Sequence, residues 1–313
     1  SVRPDGRRTH AIARQGRVHD ARHVNRTLNI LSIQSWVAYG HVGNAAAMFP
    51  LQRLGAEVWA VNTVQFSNHT GYGAWTGDIF TGEAVGALID GIAARGALAR
   101  CDAVLSGYMG DRGIGLAVLG AVARVRAANP GALYCCDPVI GDDGQGVYVR
   151  PGIAELMRDR VLGDADIATP NRFELEWLTG ATCATLEDAR NGAARLTAMM
   201  RPGGPRIVLL TSLRTAETPP GHVDMLAAEG GRFHLLRTPE LPISVNGAGD
   251  ALAALFLYHR VTTGSAAAAL ERAGSSLFGV LRRTAEARAR ELCLITAQEE
   301  FVAPTTRFPA LPC

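Results

Sequence analysis

The stretch NGAGD (246–250) leads directly into the apolar run ALAALFLYH (251–259). Gly247 and Gly249 allow a tight backbone turn, and the first turn of the helix that follows presents N–H groups with no carbonyl partner. Backed by the helix dipole, those groups suit an anion such as phosphate. A carboxylate there would repel the anion. Asp250 has a purpose if it takes the proton of an alcohol attacking that phosphate. The same residues also fit an ordinary helix start with an acidic first turn.

Three more clusters have side chains suited to chemistry. In TPNRFELEWL (169–178), Asn171 and Glu174 lie three apart at a helix start and can face one side. An amide and a carboxylate suit a hydrated Mg²⁺, but taken in isolation the pattern reads first as a capping box. In CDPVIGDDGQG (136–146), Asp137 ends a strand and Asp142 follows a loop, where they could serve a metal or phosphate-bound water, or only a polar turn. VNTVQFSNHTGYG (61–73) is expected to be a long polar and aromatic loop of the kind that covers a ligand.

The elements that would position these clusters alternate. Strands are expected at 28–34, 57–62, 102–107, 132–138, 165–170 and 206–211. Helices are expected after Gly43 to near Gly55, then at 81–96, 113–129 and 151–161, with a pair over 171–200. HVDMLAAE (222–229) and RFHLLRT (232–238) flank a Glu-Gly-Gly turn and are expected to form an antiparallel hairpin. The C-terminal third is expected to be helical, at 247–263, 265–287 and near 297–302. Such alternation means βαβ units in a mainly parallel sheet covered on both faces, with ligands beyond the carboxyl ends of the strands. With no linker or internal repeat, 28–313 is expected to be a single α/β domain.

Composition removes whole classes of function. Of 313 residues, 48% are hydrophobic, which excludes disorder as the main state, and no apolar run approaches the roughly 18 residues of a membrane span. All 31 basic residues are arginine. A chain without lysine has no P-loop lysine, no protein-kinase strand lysine and no Schiff base. The six cysteines show no CxxC pair and are expected to be reduced, mostly buried thiols of a cytosolic protein. The scattered histidines argue against zinc. Residues 1–27 carry seven Arg and two Asp, so they account for +5 and leave the remainder near −3 of the chain's +2. This segment is expected to be an unfolded leader; its Arg-rich, acid-poor character also resembles a transit peptide. It has no apolar stretch of the signal-peptide kind.

The stretches ILSIQSWVAYGHVGN (30–44), VNTVQFSNHTGYGAW (61–75), DAVLSGYMGDR (102–112), CDPVIGDDG (136–144), ATPNRFELEWLTG (168–180), VLLTS (208–212) and NGAGD (246–250) occur in one order over essentially all of 28–303. Together they resemble the pyridoxal kinases, the vitamin B6 branch of the ribokinase-like superfamily. NTVQFSNHTGY is specific to that branch, whereas Gly-x-Gly-Asp and Asn-x-x-Glu mark only the superfamily.

The resemblance implies a ribokinase-like fold and ATP-dependent phosphorylation of the 5′-hydroxymethyl group of pyridoxal. On it, Ser35, Val42, Thr70 and Tyr108 would hold the vitamer ring. Asp250 would be the catalytic base, with Gly247, Ala248 and Gly249 as the anion hole. Asp137, Asp142, Asn171 and Glu174 would serve Mg²⁺, its waters and the phosphates. Asp137, Thr169, Thr211 and Ser212 would contact ATP. It further implies a cytoplasmic homodimer with no nucleic-acid or membrane partner, and a monovalent cation such as K⁺ is usual in the family. Such phosphoryl transfer needs no catalytic lysine, in keeping with the composition. Ala248 and Trp36 depart from the family's pattern, Trp36 standing beside the ring-binding serine where it could reshape the pocket. Two other readings are a hydroxymethylpyrimidine kinase, which shares fold and reaction, and a non-catalytic pyridoxal phosphate carrier. The branch-specific motif disfavours the first, and the intact Asp250 the second.

Overall fold

The structure is a computed structural model that describes residues 27–313; the expectations for the leader lie outside the described residues, Thr27 excepted. In chain order the strands are β1 (Asn29–Tyr39), β2 (Glu57–Asn68), β3 (Gly77–Ile79), β4 (Ala103–Ser106), β5 (Leu133–Cys136), β6 (Gly141–Asp142), β7 (Gly146–Val147), β8 (Ile167–Ala168), β9 (Ile207–Leu213), β10 (His222–Glu229), β11 (Arg232–Pro239) and β12 (Leu311–Pro312). The main helices are α1 (Asn44–Arg53), α2 (Gly82–Ala94), α3 (Arg112–Ala128), α4 (Ile153–Leu156), α5 (Arg172–Thr179), α6 (Leu186–Met199), α7 (Ala248–Thr263), α8 (Ala266–Glu286) and α9 (Glu299–Val302).

Ten strands form one sheet in the order β12-β11-β10-β9-β8-β5-β4-β1-β2-β3. The run from β9 to β2 is parallel throughout, and the strands at both edges are antiparallel. The expected hairpin is present as β10–β11, Glu229 opposite Arg232.

The sheet is covered on both faces because its strands are apolar on both faces. Leu31, Val104, Cys136, Ala168 and Val208 pack into one core with α2, α3, α5 and α6. Their neighbours Ile30, Ala103, Leu105, Cys135, Ile167 and Ile207 pack into the other with α1, α7 and α8. Successive residues of a strand point to opposite faces, so continuous apolar runs fill two cores at once. The same alternation separates the neighbouring Cys135 and Cys136. All six cysteines are unpaired; four are buried, and burial pushes the Cys136 thiol up to about 12.

The structure departs from the expected elements chiefly at one place. Residues 61–68 are not a loop: β2 runs on to Asn68, with a single 3₁₀ turn at Thr70–Tyr72. β1 runs on beside it to Tyr39, past Ile33, the last of its residues to pair with β4 (opposite Ser106). β3 pairs with the far side of that extension. The polar residues that suggest a loop alternate with Val61, Val64 and Phe66, which are buried. This extension and β3 stand as a wall over the carboxyl ends of the central strands.

Candidate active site

One cleft of about 1170 Å³ opens at those carboxyl ends, and all fifteen residues singled out from the sequence line it. Each arrives by its own piece of backbone chemistry.

Ser35 comes from β1 at a bulge, where the β1–β2 register shifts between Gln34 and Trp36. Bulges re-aim a side chain next to a functional site, and Ser35 turns inward and is buried. Trp36 lies beyond the bulge, half-buried and not among the residues that line the cleft, so the expected effect on pocket shape has no direct contact behind it. Val42 and Tyr108 flank a small apolar cluster of Val37, Val64 and Phe66, which makes one end of the cleft greasy. The Tyr108 carbonyl accepts the Thr63 hydroxyl at 2.8 Å, tying the segment after β4 to β2. Thr70 opens the 3₁₀ turn at the end of the β2 wall.

Asp250 lies in the first turn of α7, whose N-cap Gly247 has φ 84° and no side-chain cap. The N–H groups of that turn are therefore left for a ligand. Burial pushes the Asp250 carboxyl up, and the backbone N–H of Gly43 partly offsets this. Asp137, at the end of β5, is buried and its carboxyl is held well above the usual range. Desolvation is the main cause, followed by repulsion from Glu174 and Asp250, while the Thr169 hydroxyl donates to Oδ1 at 2.9 Å.

Asn171 and Glu174 form the capping box of α5. The Asn171 Oδ1 accepts from the Glu174 N–H, and Glu174 Oε2 accepts from the Asn171 N–H, both at 2.9 Å. Glu174 Oε1 also accepts the Ile140 N–H at 2.8 Å, and Asn171 Nδ2 donates to the Gly141 carbonyl at 2.9 Å. The capping reading therefore holds. It leaves lone pairs on both Glu174 oxygens. Burial raises the Glu174 carboxyl to about 7 despite those backbone donors.

Two non-glycine residues here have left-handed backbones. Ser212 has φ 51° at the β9–β10 irregularity, beside Thr211. Val139 has φ 45° just after Asp137. Such conformations cost on the order of 1–3 kcal/mol each and collect at ligand sites. Asp142 lies on the two-stranded ribbon β6–β7 and its backbone pairs with Gly146.

Several lining residues escape sequence reasoning. Arg150, Tyr148 and Gln145 come in with the ribbon and the segment behind it, and Arg150 is the one arginine among the described residues of the lining. His69 and Asn246 also reach the cleft. A cation shortly after an acidic turn is the only signal the sequence offers for Arg150. Among the described residues, no group of three or more His, Cys, Asp or Glu side chains is placed to hold a metal by itself. No helix among them is long and apolar enough to cross a membrane.

The cleft thus has an apolar end, a helix start with no side-chain cap and a carboxylate in its first turn, and an end where the buried carboxyls of Asp137 and Glu174 meet. A family described as phosphomethylpyrimidine kinase matches residues 97–290. The pyridoxal kinase PdxY of Granulibacter bethesdensis is 65% identical over 91% of this chain and 100% of its own length. That of Deinococcus radiodurans is 56% identical over 90% of this chain and 95% of its own. Among solved structures, the pyridoxal kinase of Leishmania donovani in complex with ADP and ginkgotoxin superposes with a TM-score of 0.83 at 31% identity. It covers 91% of this chain and 99% of that one. The same enzyme in complex with ADP and pyridoxamine gives 0.82 at 30%, over the same shares.

Proposed function

The chain belongs to the pyridoxal kinase family, and on that premise we propose that it transfers the γ-phosphoryl group of ATP to the 5′-hydroxymethyl group of pyridoxal. The products are pyridoxal 5′-phosphate and ADP. The observation that carries the reading is the convergence of all the expected vitamer, base and nucleotide residues on one cleft.

Ser35 and Thr70 hydrogen-bond the polar edge of the ring, and Val42 and Tyr108 pack its apolar body. The unpaired N–H groups of the Gly247–Gly249 turn receive the γ-phosphate, where charge is met by dipoles already in place. Asp250, in the same turn, takes the proton of the attacking hydroxymethyl group. Its upward-shifted carboxyl is a stronger base than an exposed one, and the Gly43 N–H keeps it aimed. Thr169, Thr211 and Ser212 hydrogen-bond the phosphates, and Arg150 adds positive charge over them.

The donor set fits Mg²⁺. Asp137, Asp142, Asn171 and Glu174 offer only hard oxygen ligands, and the repulsion among Asp137, Glu174 and Asp250 is what a cation relieves. Mg²⁺ keeps several waters and binds through one or two carboxylates plus phosphate, so no three-ligand cage is required. When bound it offsets the phosphate charge. A monovalent cation, a homodimer and a cytoplasmic location follow from the family resemblance and belong to this proposal; the unpaired thiols support the location.

The reading is tested by following ADP release with Mg²⁺ and ATP against pyridoxal, pyridoxine, pyridoxamine and hydroxymethylpyrimidine. Pyridoxal should drive turnover at least about tenfold better than hydroxymethylpyrimidine, a gap of about 1.4 kcal/mol in transition-state binding. The reverse order would establish a pyrimidine kinase, and no ADP release with any acceptor would favour the carrier.

A further inference from the structure

The segment that follows α8 reaches back to the cleft through one side chain. Glu291 Oε1 accepts the Nε2–H of His69 at 2.9 Å and the hydroxyl of Tyr72 at 2.7 Å. Its Oε2 accepts the backbone N–H of His41 at 3.0 Å. Only 15% of the side chain is exposed. The two Oε1 partners stand on either side of Thr70, one residue before it and two after.

The contacts around Glu291 are close on every side. A Cβ built on Gly40 would overlap the Glu291 carboxylate, and one built on Gly247 would overlap the carbonyl oxygen of His41. The turn at 40–43 is thus pressed between Glu291 and the start of α7. It continues into Val42, which lines the cleft, and Gly43, whose N–H donates to Asp250. The guanidinium of Arg290 lies 4.8 Å from the centre of the Tyr72 ring, and the His69 ring 4.7 Å from it, so the 3₁₀ turn is gripped from its outer side as well. Burial alone would raise the Glu291 carboxyl; the bonds from Tyr72, His69 and His41 outweigh it and hold the carboxyl below its ordinary value. Three donors on one anion fix the geometry more firmly than neutral hydrogen bonds would.

We propose that Glu291 is a positioning residue for the vitamer: it locks the Thr70 turn and the 40–43 turn into one register, so that ring contact and anion hole face the same substrate. This role rests on the pyridoxal kinase reading, and Glu291 itself does not line the cleft. With its Nε2 on Glu291, His69 leaves Nδ1, a buried atom with no protein partner, next to Gly71.

Two measurements on the full-length protein test the role. The first is amide hydrogen exchange without substrate. Glu291→Ala should speed exchange across residues 68–73 by about tenfold or more, the worth of a lost charge-assisted bond, and leave the amides of β4, β5 and α7 near their parent rates. Unchanged exchange at 68–73 overturns the inference whatever the activity. The second is steady-state kinetics. The KM for pyridoxal should rise about tenfold while that for ATP stays within about twofold. Glu291→Gln, with one carbonyl oxygen for three donors, should fall between the parent and Glu291→Ala. The double variant Glu291→Ala with Thr70→Ala should lose clearly less than the product of the two single losses, because part of the effect of Glu291 runs through that turn. An unchanged KM for pyridoxal, or fully additive losses, contradicts the role. If the parent shows no vitamer-dependent turnover, the functional reading fails, and the exchange result alone decides whether Glu291 positions the turn.

Discussion

Gly247 sits so close to His41 that a Cβ in its place would overlap the His41 carbonyl oxygen. With φ at 84°, the position is also closed to other residues by backbone sterics. Gly247→Ala should therefore cost about 1–2 kcal/mol for an L-residue in a left-handed conformation and about 1–3 kcal/mol for overpacking. Denaturant unfolding should show a loss of about 2–5 kcal/mol, with turnover falling as the start of α7 shifts. Parent-like stability would mean that the turn relaxes freely and the anion hole is not held by this contact.

Ser35 and Thr70 give a prediction about selectivity of damage. Each alanine variant removes one ring hydrogen bond worth about 0.5–1.5 kcal/mol, so the KM for pyridoxal should rise roughly 2- to 13-fold. The KM for ATP should hardly move, because both residues stand at the apolar end. Equal rises for both substrates would assign them to the fold rather than to the ring.

His259 carries the clearest pH dependence outside the cleft. It is buried on α7, neither ring nitrogen has a partner, and burial lowers its pKa to about 4, with the charge of Arg272 adding to the shift. A folded pKa below the unfolded 6.5 means stability that is present above pH 6.5 and is lost as pH falls toward 4. Between pH 7.5 and pH 5 the parent should lose about 2 kcal/mol that His259→Phe does not lose, read from urea unfolding at the two pH values. Parallel losses in both proteins would show that His259 finds a partner when protonated.

Much of this was legible in the sequence, for identifiable reasons. The alternation of elements, the β10–β11 hairpin and the placement of Asp137 and Thr169 directly after strands follow from apolar runs and turn residues, whereas β9 continues two residues past Thr211, where the sequence pattern ends it. The extension of β2 was not legible, because a wall with one wet face mixes Asn62, Gln65 and Ser67 among its apolar residues and reads as a loop. The aim of Ser35 depends on a bulge, and those of Val139 and Ser212 on left-handed backbones, none of which composition or periodicity reveals. Arg150 and Glu291 leave little sequence signal of their role because each reaches its place through tertiary packing, Glu291 from 222 residues beyond His69.

On the kinase reading, Asp250 acts as a base and not merely as an acidic residue in a helix's first turn. Asp250→Asn keeps size and hydrogen bonding, removes basicity and removes a negative charge beside the anion hole. Turnover with saturating pyridoxal and ATP should fall by about 10²–10⁴, the usual worth of a positioned base. ATP affinity, measured by calorimetry, should stay the same or tighten. Turnover within about threefold of the parent would contradict the mechanism and leave Asp250 as a residue of the helix alone.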